Sequence, residues 1–163
     1  MIKQTSVTNI LKKTAEYWPE SYQGISPEIL RIHRISHYLH TNLITVLKEY
    51  GLQPAEFSVL ETLRKEPKPH CLTPTQLSKT MLFSSGGLTK VLNRLIENDL
   101  IIRLENPNDN RGKLVQLTKV GAALISEVII KLHHEEHKKI NKLSINEKKQ
   151  LDKLLEKMLN CLE

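Results

Sequence analysis

Apolar residues along this chain recur mostly at helical spacing, and one short stretch switches to alternation. Val7, Ile10, Leu11, Ala15 and Trp18 lay an apolar stripe along a leader that Pro19 and Gly24 end. Behind Ser26, a good N-cap followed by Pro27 at the first helical position, Ile29, Ile32, Leu39, Leu43, Val46 and Leu47 mark a long helix closed by Gly51. A further helix is predicted over residues 54–65, with Phe57, Leu60 and Leu63 inward. Pro67, Pro69 and Pro74 stiffen the link to a short helix near residues 74–81. Ser84 is expected to cap the next helix, residues 85–98. From Leu100 the period becomes two: strands at residues 100–105 and 111–117 flank Asn106-Pro107-Asn108-Asp109-Asn110, a dense run of turn formers. Thr118 caps a long helix to about Ile140. The capping box from Ser144 to Glu147 opens a last one, with Leu151, Leu154, Leu155, Met158, Leu159 and Leu162 on one side.

Helix, turn, helix and hairpin in that order predict a mainly α fold with a small β-hairpin, a winged helix-turn-helix. The expected division is a leader and dimerisation helix over residues 1–53, a winged DNA-binding domain over 54–120 and C-terminal dimerisation helices over 121–163. A winged domain of that size is too small to cover the apolar faces of the terminal helices as well, so a twofold homodimer is the simplest way to bury them. Lys and Arg total 24 against 18 Asp and Glu, a net charge of +6 that favours a polyanionic partner. The two cysteines, Cys71 and Cys161, have no metal-type spacing and suit a reducing compartment. With no apolar core for a signal peptide and no run near the roughly 18 residues of a membrane span, a cytoplasmic location without membrane contact is expected.

The helix predicted over residues 85–98 carries Leu88, Val91, Leu92 and Leu95 at i, i+3, i+4 and i+7, which pins one stripe to the core. At 3.6 residues per turn the opposite stripe holds Gly86, Lys90 and Asn93, flanked by Arg94. Lys can donate to guanine edges or phosphates, and Asn can pair with adenine. Gly86 and Gly87 would let a phosphate approach the positive helix end. On the hairpin, Arg111 can enter a minor groove, Asp109 can hold that arginine, and Lys113 can meet phosphate. The expected partner is therefore double-stranded operator DNA. Ser85, Lys90 and Asn93 stand at or near base edges, and Arg94 and Lys113 on phosphates.

Leu72-Thr-Pro-Thr-Gln-Leu-Ser, Ser84-Ser-Gly-Gly-Leu-Thr89-Lys, Arg94-Leu, Pro107-Asn-Asp-Asn-Arg-Gly and Leu117-Thr-Lys-Val-Gly121 appear in order, and together they resemble the MarR family of transcriptional regulators. The resemblance covers about residues 27–160. It implies homodimers on palindromic operators, often released by a small ligand, with the major-groove helix at residues 84–98 and the wing arginine at Arg111. Trp18-Pro19, Gly51-Leu-Gln-Pro-Ala-Glu-Phe57 and Ser84-Ser-Gly-Gly look like its PecS-like branch, whose members often respond to urate. There a leader tryptophan, an aspartate after Ala-Glu-Phe and a recognition-helix arginine contribute to the ligand site. Trp18 matches; Ser58 and Val91 stand at the other two positions. The resemblance thus points to a small aromatic or anionic effector near Trp18 and Ser58 rather than to urate.

Other constellations are sparser. His33, His37 and His40 share a helical side, and His133 and His137 lie four apart, a spacing that binds zinc when further ligands complete it. Neither set is completed, so no metal and no cofactor is expected. Cys71 beside His70 is a candidate redox thiol or, more simply, a small apolar residue. Without a phosphate-binding glycine loop, an HExxH or a nucleophile elbow, an enzyme is not expected. The alternatives to a ligand-responsive repressor are a metal- or redox-responsive regulator of the same fold, or a helical interaction protein that does not bind DNA.

Overall fold

The computed structural model describes residues 5–81, 87–107 and 109–163, with residues 109–111 described by their backbone. The chain divides into two compact units, Met1–Ile44 and Thr45–Glu163. In the first, Ser6 caps α1 (Val7–Tyr17), its hydroxyl accepting from the Asn9 N–H at 3.1 Å. The helix stops at Trp18, and Pro19 opens the single turn of α2 (Pro19–Tyr22). The long α3 (Pro27–Glu49) starts with Pro27 at its first position, as the Ser26-Pro27 pair predicts, and runs on into the second unit. Arg34 on α3 donates to the Thr5 carbonyl at 3.0 Å, tying that helix to the segment before α1.

The second unit is built around α4 (Pro54–Lys65), whose Phe57, Val59, Leu60 and Leu63 are buried. Thr73 caps α5 (Pro74–Thr80) through a reciprocal capping box with Gln76. α6 (Leu88–Glu97) and the hairpin of β2 (Ile101–Asn106) and β3 (Asp109–Leu117) follow. Thr118 caps α7 (Lys119–Ile140), its hydroxyl accepting from the Gly121 N–H at 2.9 Å, and the Ser144–Glu147 box opens α8 (Ile145–Leu159). α4 packs against α5, α6, α7 and β3, so α5, α6, the hairpin and the start of α7 share one core of Leu47, Leu60, Leu77, Leu95, Ile101 and Ile125.

Two features differ from the sequence expectation. A third strand, β1 (Cys71–Leu72), pairs antiparallel with β3, giving the order β1-β3-β2. Two residues carry no periodicity to read, and the pairing depends on His70, held at φ +59°, whose carbonyl accepts from Leu117 N–H at 3.1 Å. Gly87, expected inside the helix over residues 85–98, sits at φ +83°, outside helical space, and α6 follows it from Leu88; residues 85 and 86 lie outside the described residues. The first half of α7 packs within this unit. Ile125, Val128 and Leu132 are buried within this unit, and Gly121 lies so close to the Leu100 carbonyl that a Cβ would stand 2.1 Å from its oxygen. α8, by contrast, buries no residue, and the division between the two units falls inside α3.

Candidate nucleic-acid interface

α6 sits on the core by Leu92 and Leu95, with Leu88 and Val91 half-buried, and this rotation leaves Thr89, Lys90 and Asn93 exposed together. The Gly87 carbonyl accepts from the Lys90 N–H at 2.9 Å and the Val91 N–H at 3.3 Å, which starts the helix without a side-chain cap. Among the described residues nothing lies within 4 Å of where a Gly87 Cβ would be, at the positive end of the helix. Ser84, Ser85 and Gly86, also expected at this surface, lie outside the described residues.

Arg94 is engaged from below. Its Nε lies 3.1 Å from Oε1 of Glu56, whose side chain is 5% exposed while that of Arg94 remains 40% exposed. The other carboxylate oxygen, Oε2, accepts from the Gln53 N–H at 2.7 Å at the start of α4. Glu56 thus closes the α4 capping box and anchors α6 with one carboxylate. Asn93 is engaged from the side, its Oδ1 accepting from Nη2 of Arg103 on β2 at 3.0 Å. Glu56 and Arg103 are the two residues that sequence reasoning gave no site role. Arg94 stands 38 residues beyond its partner Glu56, and no local pattern reports that contact.

On the hairpin, Lys113 pairs with Glu105 opposite it. The register runs from Glu105↔Lys113 directly to Asn106↔Asp109, so residues 110–112 have no counterpart on β2 and bulge at the tip. That places the Arg111 backbone within the bulge; the side chains of Asp109 and Arg111 lie outside the described residues.

The expected effector residues fall in different units. Trp18 is 64% exposed in the first, and Ser58 is 1% exposed in the second, facing the core on α4. Ser58 has no surface to offer a ligand unless that core opens. One cavity of about 260 Å³ lies in the first unit among Val7, Ile10, Leu30, His33, Arg34 and His37. Another of about 220 Å³ lies in the second unit beside Tyr50, Leu52, Glu56, Arg94 and Asn98. At its edge, burial and then the Glu127 carboxylate raise the Tyr50 phenol above its ordinary value. Among the described residues no three His, Cys, Asp or Glu side chains are grouped to hold a metal ion, and no helix is long and apolar enough to cross a membrane. Cys71 is half-buried in β1 and Cys161 is exposed; both are free thiols.

A model of the MarR family matches residues 50–112. The multiple antibiotic resistance protein MarR of Escherichia coli is 34% identical over 145 residues, which cover 86% of this chain and 99% of that protein. The HTH-type transcriptional regulator PecS of Dickeya dadantii is 31% identical over 124 residues, 76% of this chain and 75% of PecS. A crystal structure of a mutant Escherichia coli MarR complexed with operator DNA superposes with a TM-score of 0.62 at 34% identity, covering 81% of this chain and 96% of that one.

Proposed function

The chain belongs to the MarR family, and from that membership we propose that it is a DNA-binding transcriptional regulator, a repressor that grips a palindromic operator as a homodimer. One observation supports this reading most strongly. The outer face of α6 presents Thr89, Lys90 and Asn93 together, while the inner face is fixed to the core and its flanks are tied to α4 and β2. A surface held that rigidly is suited to reading base edges, since positioning on a regular element limits the geometry a side chain can reach.

In this reading each α6 enters a major groove, with half-sites about 34 Å apart, one turn of DNA. Lys90 and Asn93 meet base edges with Ser85 beside them, Lys113 and the exposed part of Arg94 meet phosphates, and Arg111 reads the adjacent minor groove. The second copy is supplied through the terminal helices. Ile145, Leu154 and Leu162 are 76%, 67% and 75% exposed, and an apolar face of this kind marks an association surface. A small aromatic or anionic effector acts by favouring a dimer geometry in which the two α6 helices no longer fit the operator spacing.

The test is to sequence the genomic fragments retained by the purified protein at physiological salt and measure each against random duplex. Enrichment of an inverted repeat bound far more tightly than random DNA is expected. Equal, weak retention of all fragments would remove the proposal.

A further inference from the structure

Resting on the reading of α6 as the major-groove helix, we propose that Arg103 sets the base preference of that helix by holding the Asn93 carboxamide in one orientation. A guanidinium only donates, so the atom of Asn93 that faces it at 3.0 Å must be the oxygen. Oδ1 is thereby directed toward β2, and both N–H groups of Nδ2 are turned away from it. Asn93 and Arg103 are both exposed and neither is committed to the core, so this contact links the outer face of α6 to the wing strand.

The consequence for recognition follows from the edges that bases present. Bidentate pairing of asparagine with adenine uses Oδ1 to accept from N6 and Nδ2 to donate to N7. In this protein a positively charged donor takes one lone pair of Oδ1 and holds that oxygen toward β2, so the adenine amino group meets an acceptor turned toward the wing. Guanine presents N7 and O6, both acceptors, and suits an amide whose N–H groups are the ones turned outward. Arg103 thus converts an adenine-reading residue into one that selects guanine. It is a positioning residue that acts through Asn93, on a strand that packs against α6 and is paired with β3 through Val115.

The experiment selects bound sequences from a randomised duplex pool. It then measures affinity for operator variants carrying guanine or adenine at each selected position, at one fixed salt concentration. Five proteins are compared: wild type, Arg103→Met, Arg103→Lys, Asn93→Ala and the double variant Arg103→Met/Asn93→Ala. Thermal melts of all variants confirm that they fold. Wild type is expected to prefer guanine over adenine by roughly tenfold at one position per half-site, the scale of one bidentate base contact. Arg103→Met should abolish or reverse that preference and leave other positions unchanged, and in the Asn93→Ala background it should have no further effect on base choice. An Arg103→Met profile identical to wild type, with Asn93→Ala flattening the position, would overturn the proposal while leaving the DNA-binding reading intact. So would an equal loss on all sequences that Arg103→Lys restores, because it would make Arg103 a phosphate contact. Failure of wild type to enrich any sequence would instead remove the underlying reading, and this proposal with it.

Discussion

Replacing Glu56 by alanine separates the two anchors that its carboxylate joins. The side chain is 5% exposed, accepts from the Gln53 N–H at 2.7 Å and lies 3.1 Å from Arg94 Nε. Loss of the capping bond costs about 1 kcal/mol. A hydrogen bond to a charged group contributes about 1.5–3 kcal/mol, and the lower end applies because Arg94 is 40% exposed and water can replace part of the contact. The sum is about 2–3 kcal/mol, which for a chain of this size lowers Tm by about 5–10 °C. Arg94→Ala should cost about 2 kcal/mol, since it leaves a buried carboxylate with the Gln53 amide alone. In Glu56→Ala/Arg94→Ala the shared link is lost once, so the double variant should be less destabilised than the sum of the singles by about 1–2 kcal/mol. The assay is urea unfolding of all four proteins at one protomer concentration, because association with a second copy shifts the apparent stability. Additivity within about 0.3 kcal/mol would refute the coupling and with it the idea that Glu56 anchors α6.

Gly121→Ala should destabilise the protein by about 3 kcal/mol or prevent folding, because the added methyl carbon would stand 2.1 Å from the Leu100 carbonyl oxygen; a chemical melt within 1 kcal/mol of wild type would contradict this. Leu154→Glu, on the exposed apolar face of α8, should convert dimers to monomers in sedimentation and abolish operator binding with little change in helix content. The Glu147 carboxyl is held below its ordinary 4.5 by the Ser144 hydroxyl and then the Ser144 N–H. A depressed folded pKa contributes stability that is present above the unfolded value and lost as pH falls through the folded one. The Tm difference between wild type and Glu147→Gln should therefore narrow below pH 4.5, and a difference that grows on acidification would be the wrong sign.

Much of the fold was legible because local chemistry and tertiary structure agree at the element ends. Pro54, Thr118 and Ser144 open helices where their types predict, each satisfying or sparing an orphan N–H. The alternation from Leu100 onward announces the hairpin, and the i, i+3, i+4, i+7 stripe on α6 correctly turns Lys90 and Asn93 outward. What was hidden depends on contacts distant in sequence. β1 exists only because β3 offers a free edge to Cys71 and Leu72. Gly87 stands at a left-handed φ directly before α6, where the sequence pattern predicts a helical residue. Arg94 reads as an ordinary flanking cation, and only the buried Glu56 beneath it reveals that part of its charge is already spoken for. Ser58 shows the converse: its place beside a ligand motif suggested a surface, yet its helix turns it into the core.

The most direct test of paired major-groove reading is to map where α6 touches DNA. Lys90→Cys, made in a Cys71→Ser/Cys161→Ser background and carrying an iron-chelate cleavage reagent, places the reaction on the outer face of that helix. Two clusters of cleavage in the major groove of one operator fragment, centred about one helical turn apart, are predicted. A single cluster, or cuts scattered evenly along the duplex, would contradict the account.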